Sequence, residues 1–204
     1  QAGVDKVKTL IQSNPAQASE EAGELLKGKN KKNVDLVTSV AHVYLDAGKI
    51  TEAQEYLAMA KKANNKDPKV SVLEGDIALA QKNIGQACQL YEQAIYFDPN
   101  CKEAYLKYAQ AYKSASPTQA IEKLEQLKAV DPNCLEADRE LAEVYYSGNR
   151  FGKAAEMYAK FIDTPLATED DMLKYAFALF LNHDFEKSLQ VAQKGLQKNA
   201  RHAA

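Results

Sequence analysis

The sequence predicts an all-α protein, a right-handed superhelical solenoid of antiparallel helix pairs with about 12 helices. Two series of small residues recur through the chain, and each advances by about 34 residues at a step. The first series is Ala41, Gly75, Ala109, Ala142 and Ala176. The second series is Ala53, Ala87, Ala120, Ala154 and Ser188. Apolar residues around both series recur three and four positions apart, which is typical of amphipathic helices.

The pattern of apolar residues over residues 1–33 predicts a degenerate helix pair that precedes the regular repeat. Val4, Val7, Leu10 and Ile11 share the inward face of a first helix, and Ser13–Pro15 provide the turn residues. The apolar face of the second helix consists of Ala18, Ala22, Leu25 and Leu26. Gly28 ends this helix, because glycine readily adopts the left-handed conformation that follows a helix C-terminus.

The repeat pattern predicts five tandem units of two helices each over residues 34–202. The units are residues 34–67, 68–101, 102–134, 135–168 and 169–202. Turn residues separate the two helices of each unit, around Gly48, Asn83, Ser114–Pro117, Gly148 and Asp184. Small residues are needed at fixed positions because helices that cross at about 8–10 Å leave no room for a large side chain. The third unit is one residue short, and the shortening lies in its Ser114–Pro117 turn.

Both ends of the chain lead to expectations about a longer protein. Asn199–His202 is in register with Asp98–Cys101, so we expect Ala203 and Ala204 to start a further unit and the solenoid to be truncated there. The chain starts at Gln1, which indicates that upstream sequence has been removed. A cleaved signal peptide would place the protein in the bacterial periplasm or cell envelope, and this location is favoured over the cytoplasm.

The stretch YFDPNCKEAYLKYAQAY, Tyr96–Tyr112, has Asp-Pro-Asn before a helix, a small residue within that helix and a tyrosine three residues later. Together with an alanine early in the second helix, this pattern resembles the tetratricopeptide repeat, a 34-residue helix pair. The resemblance extends over nearly the whole chain. The chain departs from the pattern in lacking tryptophan, in having Ser71 and Asp138 where a bulky residue is usual, and in having Ser188 in place of alanine.

The resemblance implies a concave trough, lined by the first helix of each unit, that binds a peptide or a partner domain. The candidate binding residues on this face are Asp76, Glu103, Leu106, Gln110, Arg139, Glu143, Tyr146, Leu173, Phe177 and Phe180. Relatives that hold acidic heat-shock-protein tails have basic or amide residues at points where this chain has Glu103, Glu136 and Glu143, so such an adaptor role is disfavoured. The apolar patch of Leu173, Phe177 and Phe180 either anchors a peptide or packs against a following repeat.

Composition argues against several other classes of function. The formal net charge is -2 and the one basic block is Lys27–Lys32, so nucleic acid is not an expected partner. The longest apolar run, Tyr175–Leu181, is much shorter than the roughly 20 residues of a membrane-spanning helix. The sequence has no phosphate-binding, zinc-binding or nucleophile motif. We therefore expect no cofactor, no metal and no catalytic residue, and do not expect an enzyme.

The cysteines pose a separate question, because Cys101 and Cys134 both end the tetrapeptide Asp-Pro-Asn-Cys. Equivalent positions in successive repeats are separated by about 10 Å, one packed layer. A disulfide requires Cα atoms within about 7 Å, so these two residues are expected to stay apart. Packing as small residues is the favoured interpretation, and a reactive thiol at a helix N-terminus is the alternative.

The predicted function is that of a non-catalytic scaffold for protein–protein interaction. Two alternatives stay open: an architectural or oligomerisation segment of a larger repeat protein, and an accessory segment of a longer multidomain enzyme. The sequence does not indicate the oligomeric state.

Overall fold

The computed structural model describes residues 2–202, with side chains up to residue 197. All regular secondary structure in this range is helical. The α-helices are α1 (Ala2–Ser13), α2 (Pro15–Leu25), α3 (Val34–Asp46), α4 (Ile50–Asn64), α5 (Pro68–Ala80), α6 (Ile84–Phe97), α7 (Lys102–Tyr112), α8 (Pro117–Val130), α9 (Leu135–Ser147), α10 (Phe151–Phe161), α11 (Glu169–Leu181) and α12 (Phe185–His202). A short 3₁₀ helix, Gly28–Lys32, lies between α2 and α3. The prediction of an all-α chain with about 12 helices is confirmed for the described residues.

The chain divides into two compact units, Gln1–Ala111 and Tyr112–Ala204. In the first unit, α1 packs against α2, α3 against α4 and α5 against α6. In the second unit, α9 packs against α10 and α11 against α12. The division into five repeats stays a prediction, and the expected start of a sixth at Ala203 and Ala204 lies outside the described residues.

The small residues of both series lie where helices approach each other closely. Every alanine in the two series is buried. At Gly75, an added Cβ atom would lie 2.5 Å from Cε1 of Tyr91, a distance that no side chain tolerates. Ser188 donates a hydrogen bond from Oγ to the carbonyl oxygen of Ala176, at 2.7 Å. Its hydroxyl group thus satisfies a backbone acceptor at a position where the other repeats have alanine.

Four of the turns within helix pairs share one backbone conformation. Gly48, Lys82, Asn149 and His183 have φ of 76°, 64°, 58° and 64°. The next amide in each turn donates to a carbonyl five residues earlier, as Lys49 does to Tyr44 at 2.9 Å. This is the Schellman arrangement that ends a helix. In the fully described turn between Tyr112 and Pro117, no residue has positive φ, so the shortened third turn ends its helix in another way.

The two unusual polar residues of the repeat pattern are buried and paired. The carboxylate of Asp138 accepts hydrogen bonds from Lys128 at 2.8 Å and from Lys160 at 3.2 Å. The Ser71 hydroxyl group lies 3.4 Å from Oε1 of Gln93. Pairing with two ammonium groups offsets part of the cost of burying the Asp138 charge, which an unpaired acid would pay in full.

The C-terminal end of α12 extends further than the end of α6, the helix at the matching place in an earlier repeat. Asn199–His202 is in register with Asp98–Cys101, and α12 continues through these residues to His202. The matching helix α6 ends at Phe97, because Pro99 restricts the residue before it and cannot donate a backbone hydrogen bond. Ala200 stands at the position of Pro99 and allows the helix to continue.

Candidate interaction surface

The candidate binding residues are divided between the two units. Asp76 on α5 and Glu103, Leu106 and Gln110 on α7 belong to the first unit. Those of the second unit are Arg139, Glu143 and Tyr146 on α9, with Leu173, Phe177 and Phe180 on α11. Every candidate therefore lies on the first helix of a pair, and each unit presents its own part of the predicted surface.

In the first unit, Asp76 is the centre of a polar cluster with His42, Tyr91 and Lys107. Its side chain is 10% exposed, and one carboxylate oxygen lies 2.9 Å from both Nε2 of His42 and Nζ of Lys107. The other oxygen accepts a hydrogen bond from the Tyr91 hydroxyl group at 2.8 Å. The carboxylate is thus engaged by three side chains of its own unit, from α3, α6 and α7.

The electrostatics of this cluster follow from burial and pairing. Burial alone would raise the pKa of Asp76, but the hydrogen bond with His42 and the charge of Lys107 outweigh burial and lower it. Burial disfavours the protonated form of His42, yet the hydrogen bond and negative charge of Asp76 prevail and raise the His42 pKa. Burial and the neighbouring acid raise the pKa of Tyr91. The cluster therefore favours a charged Asp76 beside a neutral Tyr91.

The other candidates of the first unit are more accessible. Glu103 is exposed and lies 3.7 Å from Nζ of Lys107, one helical turn away. Leu106 is half-buried and Gln110 is exposed. Glu103 and Gln110 thus form the accessible polar edge of this face. Asp76 lies beneath that edge, where its carboxylate accepts hydrogen bonds from side chains of the same unit.

In the second unit, Glu143 occupies the same place in its repeat that Asp76 occupies in the first unit. Its carboxylate accepts a hydrogen bond from the Tyr158 hydroxyl group at 2.9 Å, and Nζ of Lys174 lies 2.9 Å and 3.0 Å from its two oxygens. Lys174 also pairs with Asp170 at 2.7 Å. Burial would lower the pKa of Lys174, but its bonds to Asp170 and Glu143 raise it.

Sequence reasoning selected Asp76 and Glu143 as surface acids and missed the groups that bind them. In both clusters the tyrosine stands at position +15 from the acid, and the lysine stands at position +31. These spacings match neither the helical period nor the repeat length, because they join a first helix to its own second helix and to the next first helix. The recurrence of both spacings two repeats later is the signal that could have identified Tyr91, Lys107, Tyr158 and Lys174.

Arg139 is also engaged within the second unit. Its guanidinium group binds both carboxylate oxygens of the buried Asp171, with Nε to Oδ1 at 3.2 Å and Nη2 to Oδ2 at 3.1 Å. Asp171 in turn forms a capping box with Thr168 at the start of α11. Arg139 therefore links α9 to the N-terminus of α11 through a bidentate pair.

The exposed apolar residues of α11 form the least polar part of the candidate surface. Leu173, Phe177 and Phe180 are 65%, 50% and 52% exposed, and their spacing of four and three residues places them on one helix face. The aromatic rings of Tyr146 and Phe151 lie 6.5 Å from that of Phe177, and the ring of Phe185 lies 5.4 Å from that of Phe180. We call these six residues the aromatic surface.

Phe151 and Phe185 are members of this surface that the sequence prediction missed. Each begins the second helix of its pair, and the two are 34 residues, one repeat, apart in the sequence. The recurrence of an aromatic residue at the same position of two successive repeats is the sequence signal that could have identified them.

A family model described as the tetratricopeptide repeat matches residues 41–101 and 110–167, which together make up more than half of the chain. The chain belongs to the tetratricopeptide repeat family. The resemblance inferred from the repeat period is thereby confirmed. No curated protein matches the chain.

Solved structures of other tetratricopeptide repeat proteins share the fold. PilW, described as a widely conserved type IV pilus biogenesis factor, has a TM-score of 0.74 at 17% identity, covering 98% of this chain and 93% of PilW. MamA from Desulfovibrio magneticus RS-1 has a TM-score of 0.67 at 17% identity, covering 84% and 97%. YrrB, described as a TPR protein with an unusual peptide-binding site, has a TM-score of 0.60 at 13% identity, covering 86% and 91%.

These likenesses confirm the predicted fold class, and the fold is one used by protein-interaction scaffolds. Identities this low establish the fold alone. The tetratricopeptide repeat family consists in general of non-catalytic scaffolds, which agrees with the predicted class of function. Within the described residues, no helix is long and apolar enough to cross a membrane.

The described part of this tetratricopeptide repeat protein contains no cluster of three or more His, Cys, Asp or Glu side chains arranged to hold a metal ion. All three cysteines lie in that part, and none forms a disulfide. Cys88 and Cys134 are buried and Cys101 is half-buried. Burial raises the pKa of the Cys101 thiol, which lowers its thiolate fraction and argues against the alternative of a reactive cysteine at that position.

Proposed function

We propose that the chain is a non-catalytic interaction scaffold that binds an apolar peptide or helix of a partner protein on the aromatic surface of its second unit. The observation that supports this most strongly is the exposure of Leu173, Phe177 and Phe180 on one face of α11. Exposed apolar patches of this kind are typical of protein interaction sites. Large aromatic side chains also contribute most of the binding energy in many interfaces.

The polar part of the candidate face supports the same choice of site. Asp76, Arg139 and Glu143 already bind partners within their own units. An incoming peptide would have to displace these contacts in order to use the same charges. Rings that are half exposed offer apolar area that becomes buried on binding, and burial contributes about 25 cal/mol per Å². We therefore place the peptide anchor on the aromatic surface.

Peptide selection on the immobilised chain would test this proposal. We expect peptides with clustered apolar residues to be enriched, and we expect the double variant Phe177→Asp, Phe180→Asp to bind them at least about tenfold more weakly. Tyr96→Asp is the matched control, because Tyr96 is an aromatic residue with a highly exposed side chain on α6, outside the aromatic surface. Equal binding by the double variant and the wild type would disprove the proposed site.

An architectural role is the second candidate function, and one observation favours it. Phe185, Leu189 and Leu196 are exposed on α12 at spacings of four and seven residues, so they form an apolar stripe on one helix face. Light scattering over a range of concentrations tests this role. Self-association of the wild type that is lost in the double variant Leu189→Glu, Leu196→Glu would support the architectural role. A wild type that is monomeric at every concentration would exclude self-assembly.

The cellular location also stays a proposal. The likeness to PilW, a type IV pilus biogenesis factor, agrees with an envelope location.

A further inference from the structure

A pocket with a basic rim lies in the first unit, between the 3₁₀ helix and the C-terminal half of α4. Its volume is about 380 Å³, at the lower end of the range of ligand pockets. The lining residues are Lys31, Lys32, Glu55, Ala58, Met59, Lys62 and Ala63. Three of them are basic and one is acidic. The pocket is formed by a second helix of the repeat pattern, so it is separate from the predicted trough on the first helices.

The local sequence fixes the position of the basic segment. Gly28 adopts φ of 59°, a left-handed conformation that favours glycine, and turns the chain after α2. Asn30 donates a hydrogen bond from Nδ2 to the Leu25 carbonyl oxygen at 2.8 Å. Asn33 then caps α3 by accepting a hydrogen bond from the Leu36 amide at 3.1 Å. The lysines of the 3₁₀ helix are therefore attached to a backbone that is held at both ends.

The three lysines that line the pocket form no ion pair among the described residues, and Glu55 is the one acid beside them in the lining. Nearby Lys27 pairs with Glu24, and Lys61 pairs with Glu74 at 2.6 Å. By contrast, within the described part of the chain no carboxylate forms an ion pair with Lys31, Lys32 or Lys62. The lining therefore has a net positive charge, which attracts an anionic ligand. This is the basic block that the sequence analysis identified and that the proposed function leaves without a role.

The floor of the pocket is apolar and recessed. Met59 is half-buried and packs against the core of the first unit, while Ala58 and Ala63 leave space above the helix. Methionine adapts to differently shaped apolar groups because its side chain is unbranched and polarisable. A floor of this kind surrounded by lysines fits a ligand that has one apolar side chain and several carboxylates.

We propose that this pocket binds a short acidic segment of a partner protein, which inserts one apolar side chain over Met59 and places its carboxylates near Lys31, Lys32 and Lys62. A lipid surface fits less well, since membrane-binding sites insert protruding apolar side chains and this floor is recessed. Nucleic acid fits less well too, because no aromatic side chain lines the pocket to stack on a base.

Fluorescence polarisation with a defined probe tests this site on the whole chain. The probe is a fluorescein-labelled short peptide of Glu and Asp with one central Leu. We expect the variant Lys31→Glu, Lys32→Glu, Lys62→Glu to bind it at least about tenfold more weakly, because three exposed charge contacts are reversed. Replacing the central Leu of the probe by Ser is expected to weaken binding to the wild type about threefold or more.

The matched control carries the same change of charge at Lys8, Lys82 and Lys153, three exposed lysines that do not line the pocket. It is expected to bind the probe within about twofold of the wild type, since only distant, screened charges differ. The milder variant Lys31→Gln, Lys32→Gln, Lys62→Gln provides a second test in which no repulsion is introduced. Circular dichroism confirms that each variant is folded.

Two results would overturn the proposal. One is equal probe affinity in the wild type and in both pocket variants. The other is a wild-type chain that does not bind the peptide probe but does bind vesicles of phosphatidylglycerol and phosphatidylcholine, or a DNA duplex, with that binding weakened in the pocket variants. This experiment is independent of the aromatic surface, because the double variant Phe177→Asp, Phe180→Asp is expected to bind the probe with the affinity of the wild type.

Discussion

The acid clusters of the two units have the same plan but differ in one member. In each, an acid on a first helix binds the hydroxyl group of a buried tyrosine from the second helix and the ammonium group of a lysine from the next first helix. Asp76 has His42 as a third partner, whereas in the second unit Lys174 is shared between Glu143 and Asp170. Asp76 is 10% exposed and Glu143 is 24% exposed.

The two clusters therefore share one set of contacts, and the first cluster has a histidine in addition. The acid–tyrosine–lysine contact joins three helices in each of the two clusters, while the repeat between them has Gln110 and Leu124 at the positions of the acid and the tyrosine. The histidine occurs in the first cluster alone, and its pKa is raised above the ordinary value of 6.5. The first cluster is therefore expected to be more tightly coupled and more sensitive to pH than the second.

Removal of the two acids should show the largest effect and the clearest difference. Asp76→Ala leaves the buried Tyr91 hydroxyl group and two basic side chains without their acceptor, and we expect it to lower the free energy of unfolding by about 2–4 kcal/mol. Glu143→Ala should cost about 1–2 kcal/mol, because Glu143 is more exposed and Lys174 keeps Asp170. Urea denaturation followed by circular dichroism measures both values.

Tyr91→Phe and Tyr158→Phe provide the control for this comparison. Each removes one buried hydroxyl group that donates to the acid of its own cluster, so the two variants should lose similar amounts of stability. An effect of Glu143→Ala equal to or larger than that of Asp76→Ala would contradict the ranking of the two clusters.

The left-handed turns should behave alike in the two units, with a smaller effect. Lys82 in the first unit and His183 in the second have φ of 64°, a conformation that costs non-glycine residues about 1 kcal/mol. We expect Lys82→Gly and His183→Gly each to raise the free energy of unfolding by about 0.5 kcal/mol, since the relief of strain outweighs the flexibility that glycine gains in the unfolded chain. Gly48→Ala is the reverse change and should destabilise. Thermal denaturation of the three variants measures these effects. A loss of stability on either glycine substitution would contradict the left-handed conformation of that turn.

The helix pairs were predictable from sequence because close packing restricts residue size at fixed positions. Gly75 shows the restriction directly, since any side chain there would overlap Tyr91. The helix α12 continues through Asn199, whereas α6 has ended by the matching Asp98, because position 200 has alanine where the earlier repeat has Pro99. A repeat frame predicts where a break is allowed, and local backbone chemistry decides whether it occurs.

The candidate site was less predictable, because position on a helix face does not reveal which groups bind one another. Asp76 and Glu143 were assigned to the trough by register, yet their carboxylates are engaged by side chains from other helices of the same unit. Phe177 and Phe180 are exposed, as their helix positions indicate. Their role in binding stays a prediction, since exposure alone does not identify a partner.

The pH dependence contributed by His42 is the smallest expected effect and distinguishes the clusters most directly. Because the pKa of His42 is raised above its ordinary 6.5 in the folded chain, its protonation stabilises the fold. This contribution is fully present below pH 6.5 and is lost as pH rises through the folded-state pKa. The groups that face the ring are Asp76, which favours protonation, and Lys107, which opposes it. For a partly exposed pair with an opposing lysine we expect a few tenths of a kcal/mol.

Urea denaturation of the wild type and His42→Gln between about pH 5 and pH 8 measures this contribution. The stability difference between them should shrink as pH rises. A difference between the wild type and His42→Gln that stays constant over this range would mean that Asp76 binds the neutral and charged imidazole equally well. In that case the histidine would add only a hydrogen bond to the first cluster, and the two clusters would respond to pH in the same way.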